Sequence, residues 1–314
     1  VSEGLSLVID TDTASDDAIA LILAARSPGV SIRAVTVVAG NVPLPRATRN
    51  ALVTLEMCGA GEVPVYEGRS APLMRKLETA QHVHGEDGMG GVPLPEPTRR
   101  PEAEHAVDFL RRLARDEPGR HTLVTLGPLS TVATALLVEP DLLSGFNATF
   151  CMAGALDGVG NAHPAGEYNV WADPEAADIV FNSSGEPTLI GWDISRRYAV
   201  FTPEEQKSLR AVGKLGAFAV DINAVVDRYA RTDSGLAGFD LPDPIAMAVA
   251  LDPGIVVRQS RHRVHVGLDD RARGATMVDH RRSAGEPNVR IVWEVDEAAF
   301  KAMVMEACTE KAPG

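Results

Sequence analysis

Apolar runs at 5–9 (LSLVI), 32–38 (IRAVTVV), 122–126 (TLVTL), 148–152 (ATFCM) and 187–190 (PTLI) have the length and composition of buried strands. Helix-like stretches fall between and after them, at 17–26, 45–58, 102–115, 129–138 and 173–182. A strand followed by a helix, repeated, is the mark of parallel βαβ units. Pro45, Pro128 and Pro174 suit first helical turns, and Asp173 before Pro174 predicts an N-cap. Segment 67–101, rich in Gly, Pro and charge, reads as a long loop, and long loops in compact domains are commonly functional. From 203 onward the pattern predicts helices at 203–210, 214–231 and 243–251. Short strands at 261–266, 274–279 and 288–294 then precede a helix at 296–308. The expected fold is α/β: a mainly parallel open sheet flanked by helices, with a C-terminal helical and small β segment. It is read as a single domain over 1–314.

Composition narrows the function classes. The chain has 314 residues, 45% hydrophobic and 23% charged, an ordinary globular balance. Its net charge of −13 argues against a nucleic-acid partner. The basic RRLAR at 111–115 reads as one solvated helix face. No stretch is long enough to span a membrane, and no basic-then-apolar leader opens the sequence. Cys58, Cys151 and Cys308 are scattered and odd in number, which suits buried thiols in a reducing compartment. The expectation is a soluble, cytoplasmic protein.

Parallel sheets bind ligands at the carboxyl ends of their strands. There the sequence places DTDTASDD after the first run, AGNVP after the second, GPLS at 127–130 and AGALDGVGN at 153–161. Asp10, Asp12, Asp16 and Asp17 lie within eight positions, with no lysine or arginine among them. One of them could cap the following helix, but four exceed what capping needs. A hard divalent cation would remove their repulsion. The spacing is not that of an EF-hand, so further ligands must come from elsewhere in the chain. Asp10-Thr11-Asp12-Thr13 also resembles the nucleophile motif of haloacid-dehalogenase-like phosphatases, which use magnesium. The later paired-aspartate motif of that family is missing, and Lys207 and Lys214 sit in helix-like context.

Further pieces complete a pattern: AGN ending in Asn41, VHGEDGMG at 83–90, LGPLST at 126–131, GVGN ending in Asn161, GEYNVWADPEAADIVF at 166–181 and FDLPDPIAMAVAL at 239–251. In this order, from residue 5 to about 300, the chain resembles the inosine/uridine-preferring nucleoside hydrolases. The resemblance implies a nucleoside-hydrolase-like fold and a tightly bound calcium at the bottom of a pocket. Asp12, Asp17 and Asp243 would be carboxylate ligands and Leu126 a backbone-carbonyl ligand. Asp12 would double as the general base toward the attacking water. Asp16, Asn161, Glu167 and Asn169 would hydrogen-bond the ribose, the last two from a loop before a helix. Asn41 would support the pocket, Met152 would pack beneath the sugar and Asp10 would fix the loop. The family usually forms dimers or tetramers, so a homo-oligomer serving nucleoside salvage is implied, with a small ribonucleoside as its partner.

The chemistry accords with these residues. Breaking a ribosyl–base bond builds positive charge on the sugar, and a pocket of carboxylates and amide oxygens suits that charge. Vicinal hydroxyls could join calcium's flexible shell and select ribose over 2-deoxyribose. The leaving-group end departs from the pattern. Where many relatives carry a histidine, this chain has Pro242. His84 matches a pocket histidine of the family, Tyr229 and Arg231 are substitutes for a missing acid, and Trp171 and Trp192 lie near strand ends. His82 with His84 lacks a third N or S ligand for zinc. A nucleoside- or ribose-binding protein with little turnover is the alternative that Pro242 suggests.

Overall fold

The computed structural model describes residues 4–310. One nine-stranded sheet organises it. Strands β1 (Leu5–Thr11), β2 (Val30–Val37), β3 (Val65–Glu67), β4 (Thr122–Thr125), β5 (Ala148–Met152) and β6 (Thr188–Ile190) run parallel. A separate antiparallel pair, β7 (Val200–Phe201) and β8 (Phe239–Asp240), stands beyond them. The sheet is completed by β9 (Val256–Val266), β10 (Thr276–Asp279) and β11 (Val289–Val295), in the order β10-β9-β11-β6-β5-β4-β1-β2-β3.

Helices α1 (Ser15–Arg26) and α2 (Leu44–Met57) follow β1 and β2. The turn α3 (Gln81–His84) and helix α4 (Ala106–Asp116) follow β3, and α5 (Ser130–Val138) follows β4. Next come α6 (Tyr168–Ala172) and α7 (Pro174–Phe181) after β5, and α8 (Trp192–Tyr198) after β6. The later helices are α9 (Pro203–Ala211), α10 (Lys214–Ile222), α11 (Ala224–Thr232), α12 (Pro242–Leu251) and α13 (Glu297–Cys308). Alternation along β1 divides the core. Leu7 and Ile9 pack with α1, α2, α12 and α13 on one face, and Val8 packs with α4, α5 and α7 on the other.

The structure differs from the sequence expectation in definable places. The C-terminal β segment extends the main sheet: β11 lies parallel to β6 and carries β9 and β10 onto it. The helix expected over 214–231 breaks at Asn223, whose Nδ2 donates to the Ala219 carbonyl at 2.9 Å, a side-chain bond that competes with helix continuation. Pro128 precedes the Leu129 N-cap of α5 and so lies outside its first turn. Asp173 caps α7, accepting from Ala176 N–H at 3.1 Å. Arg111 and Arg112 are ion-paired with Asp108, Glu139 and Glu104, leaving no basic face there. The three cysteines are free and buried, and no helix among the described residues is long and apolar enough to cross a membrane.

Strand β1 pairs with β2 on one side and β4 on the other, so the strand order reverses at β1. A crevice opens at such a point, outside the carboxyl ends of the strands. Asp12 directly follows β1, and Leu126 directly follows β4.

Candidate active site

The four aspartates run from the end of β1 into the first turn of α1, and all are buried. Asp10 is held in the sheet, in register with Thr36 and Thr125, and Thr36 donates its hydroxyl to Asp10 Oδ1 at 2.5 Å. Burial lifts its pKa to about 7. Asp12 is enclosed by backbone. Its Oδ2 accepts from Asn41 N–H at 2.6 Å, while Oδ1 has no partner among the described residues. A Cβ on Gly127 would stand 2.6 Å from that free oxygen, and one on Gly40 would collide with Oδ2. Two glycines at neighbouring strand ends thus make the space that Asp12 occupies.

Asp17 sits in the first turn of α1. Thr11 donates to its Oδ1 at 2.5 Å and Ala14 N–H to its Oδ2 at 2.9 Å, so it satisfies the helix start as well. Asp16, Asp17 and Asp243 each bring a carboxylate oxygen within 4.8 Å of the others. Asp243 arrives on the first turn of α12, which packs against α1. Burial, followed by the charges of Asp16 and Asp17, pushes Asp243 well above the usual carboxylate range. A buried acidic group of this kind, with free Oδ1 atoms on Asp12 and Asp16, has the oxygen-donor chemistry that a hard cation prefers.

A cavity of about 480 Å³ opens over the cluster, within the range of small-molecule sites. Asp16 and Asp243 line it, whereas Asp12 and Asp17 lie beneath, fully enclosed. On one wall Asn169 donates from Nδ2 to the Leu126 carbonyl at 2.6 Å and the Met152 carbonyl at 3.1 Å. Glu167 ends a loop before a helix, as expected, whereas Asn169 does not lie in that loop. Glu167 is the N-cap of α6 and Asn169 lies inside it, a short helix hidden by a cap type the sequence does not favour. The Glu167 carboxylate accepts backbone N–H groups from Asn169, Gly154 and Val170 at 2.7, 2.9 and 3.3 Å. Asn161 Oδ1 accepts from Tyr168 N–H at 2.8 Å and reaches the same cavity, as does Asn41.

The other wall carries His84 and Tyr229. Ser15 Oγ and His84 Nδ1 are 3.0 Å apart, and Nδ1 is 3.7 Å from Asp16 Oδ1. Burial pushes the His84 imidazole down to about 4, so it is neutral near pH 7. Tyr229 lines the cavity, and its ring meets that of His82 edge-on at 5.8 Å. Arg231 does not line the cavity; it is paired with Asp227 at 2.8 Å. Pro242, Trp171 and Trp192 do line it.

Tyr168 and Asp240 are among the lining residues that the sequence did not single out, and His82, discounted there as a zinc ligand, lines the cavity as well. Tyr168 donates its hydroxyl to the Glu78 carbonyl at 2.9 Å, tying α6 to the loop before α3. Asp240 is buried beside Trp192, and His82 stands opposite Tyr229. Asp240 left one signal, a charge set inside the apolar GFDLP at 238–242.

Comparison with known proteins places this geometry in context. The family model described as "Inosine-uridine preferring nucleoside hydrolase" matches residues 7–302. The chain is 34% identical to the pyrimidine-specific ribonucleoside hydrolase RihA of Enterobacter sp. (strain 638), over 96% of this chain and 97% of the relative. Among solved structures, a plant nucleoside hydrolase superposes with a TM-score of 0.92 at 30% identity, covering 98% of this chain and all of the other (100%). The purine-preferring ribonucleoside hydrolase of Gardnerella vaginalis gives 0.89 at 32% identity, covering 96% and 98%.

Proposed function

The chain belongs to the inosine-uridine preferring nucleoside hydrolase family, and from that premise we propose a calcium-dependent enzyme that splits ribonucleosides into free base and ribose. The observation that carries the metal site is the acidic cluster at the switch point. Asp12 Oδ1 and Asp16 Oδ1 are buried without partners among the described residues, beside Asp17 and Asp243. An unpaired buried carboxylate is costly, and a hard cation relieves several at once. Asp12, Asp17, Asp243 and the Leu126 carbonyl are the assigned ligands. Asp16 also reaches the cluster and, like Asp243, lines the cavity; the family resemblance assigns it to a ribose hydroxyl. Bound calcium would neutralise the cluster and acidify the attacking water.

The residues divide the remaining work. Asn41 N–H and the two glycines hold Asp12 in one orientation, with Oδ1 left to take the proton of the attacking water. Asn41, Asn161, Glu167 and Asn169 hold the ribose with Asp16, and Met152 packs beneath it. The surrounding carboxylates stabilise positive charge on the sugar as the bond breaks. Pro242 has no proton to give the departing base. That role falls to Tyr229, a proton-bearing group on the cavity wall, while His84, 3.0 Å from Ser15 Oγ and also lining the cavity, is assigned to contact the base. The family match gives the phosphatase alternative no support.

Base release from inosine, adenosine, guanosine, uridine and cytidine in millimolar calcium tests the reading, with Asp12→Ala and a chelator as controls. Release lost in both controls is expected. No release from any nucleoside or from p-nitrophenyl riboside would sink it. The proposal extends to a cytoplasmic, single-domain homo-oligomer serving nucleoside salvage, and light scattering would read a dimer or tetramer directly.

A further inference from the structure

Resting on the reading that this cavity holds a ribonucleoside, we propose that Asp240 sets base preference. Its buried carboxylate, fixed by Trp192 and Ser195, accepts an N–H from the base and so selects bases that present a ring N–H over those that present a lone pair there.

Asp240 ends β8, three residues before Asp243, a chain reach of at most about 10 Å. The strand that leads to the acidic cluster therefore sets a second carboxylate on the cavity wall. Asp240 is only 8% exposed, and its charge bears on both Asp16 and His84.

Its two oxygens are used unequally. Oδ2 accepts from Trp192 Nε1–H at 2.9 Å and from the Ser195 hydroxyl at 2.7 Å. No side-chain donor among the described residues reaches Oδ1, and the carboxylate's one further hydrogen bond is with the Asp240 backbone N–H. Both donors belong to α8, whose Trp192 is held further by the Arg196 guanidinium, 4.8 Å from the ring centre. Arg196 is itself bound to Asp157 at 2.6 Å. The carboxylate cannot turn without stranding two donors, so Oδ1 is a fixed acceptor. Pro242 adds no competing donor beside it.

A fixed acceptor discriminates. Hypoxanthine, guanine and uracil carry a ring N–H where adenine and cytosine carry a lone pair. A lone pair facing a carboxylate is repelled, and a buried acceptor is left unpaired. Hydrogen-bonding sites reject the wrong partner through such unpaired groups. Asp240→Asn inverts the signal while keeping the support. Trp192 and Ser195 still require an oxygen, which turns the new amide NH₂ to where Oδ1 stood.

The experiment measures kcat/KM for inosine, adenosine, uridine, cytidine and p-nitrophenyl riboside, on the wild-type protein and on Asp240→Asn. The wild type is expected to favour inosine over adenosine and uridine over cytidine by about tenfold or more. In the variant both ratios fall by at least about tenfold, while p-nitrophenyl riboside, whose leaving group has no ring N–H, changes by less than about threefold. An equal loss on all five substrates would reduce Asp240 to a support for Trp192 and overturn the proposal. Unchanged ratios overturn it too. If the variant does not fold, wild-type ratios near one still decide against it. A wild type that cleaves p-nitrophenyl riboside and no nucleoside refutes base recognition alone; one that cleaves nothing refutes the hydrolase reading beneath it.

Discussion

At the scale of single residues, the site depends on the space around Asp12. Replacing Asp12 by Asn keeps the shape and the bond from Asn41 N–H but would remove the proposed base. The expected loss in kcat is about 10²–10⁴-fold, the usual worth of a general base, with the metal-free protein still folded by circular dichroism. Gly127→Ala tests the same oxygen from outside. Its Cβ would stand 2.6 Å from Asp12 Oδ1, closer than real Cβ contacts, so the carboxylate must move. The expected result is a fall in kcat approaching that of Asp12→Asn with circular dichroism unchanged; a fully active Gly127→Ala would show that the position of Oδ1 is immaterial. The four aspartates were readable because they are close in sequence. Which oxygens stay free among them was not, because Thr36 and Asn41, from β2 and the turn after it, occupy the others on Asp10 and Asp12.

Elements bring these residues together, and their ends carry the contacts that do so. The Asp173 cap of α7 was legible, since Asp before Pro at a helix start is a local signal. Its wider role was not: Oδ2 also accepts from Leu73 N–H at 2.8 Å and Ser130 Oγ at 2.6 Å, tying the 67–101 loop and α5 to α7. Asp173→Ala is therefore expected to destabilise by about 2–4 kcal/mol, more than a cap alone, as read by urea unfolding. At α8, Asp193 is buried with Oδ2 unpartnered among the described residues, and burial lifts its pKa to about 6. A carboxyl raised on folding stabilises fully below its unfolded pKa, near 4, and that contribution is lost as pH rises through 6. Asp193→Asn removes the titration, so its stability relative to wild type should climb by about 2–3 kcal/mol between pH 4 and 7. A constant difference over that range would mean that Asp193 has no raised pKa. The elements that the sequence did not yield share a cause. Strands β7 and β8 have two residues each, too few for a period, and α6 has five. The break at Asn223 falls inside an unbroken apolar pattern.

On the scale of the whole molecule, the fold was legible because βαβ alternation fixes a parallel sheet, and the sheet's switch point fixes the site. What the pattern missed was the joining of distant pieces. Trp192 with Asp240, and His82 with Tyr229, meet only because α8 and β8, and α3 and α11, are neighbours in space. The same joining makes metal occupancy a property of the entire fold. Asp12 and Asp17 come from the β1–α1 segment, Leu126 from the end of β4 and Asp243 from α12, so unfolding would disperse the proposed ligands and end their joint affinity. A ligand that binds only the folded state stabilises it by RT ln(1 + [L]/Kd), about 2.7 kcal/mol at a hundredfold excess over Kd. Thermal unfolding should therefore move to higher temperature with added calcium and return with a chelator. Magnesium, which demands a smaller and more regular shell, should do less. In Asp243→Asn one of the converging charges is gone. The metal-free protein should then unfold no earlier than wild type, because repulsion in the cluster is relieved, while the calcium-induced rise shrinks or vanishes. A rise of the same size in both proteins would place the ion elsewhere and remove Asp243 from its ligands.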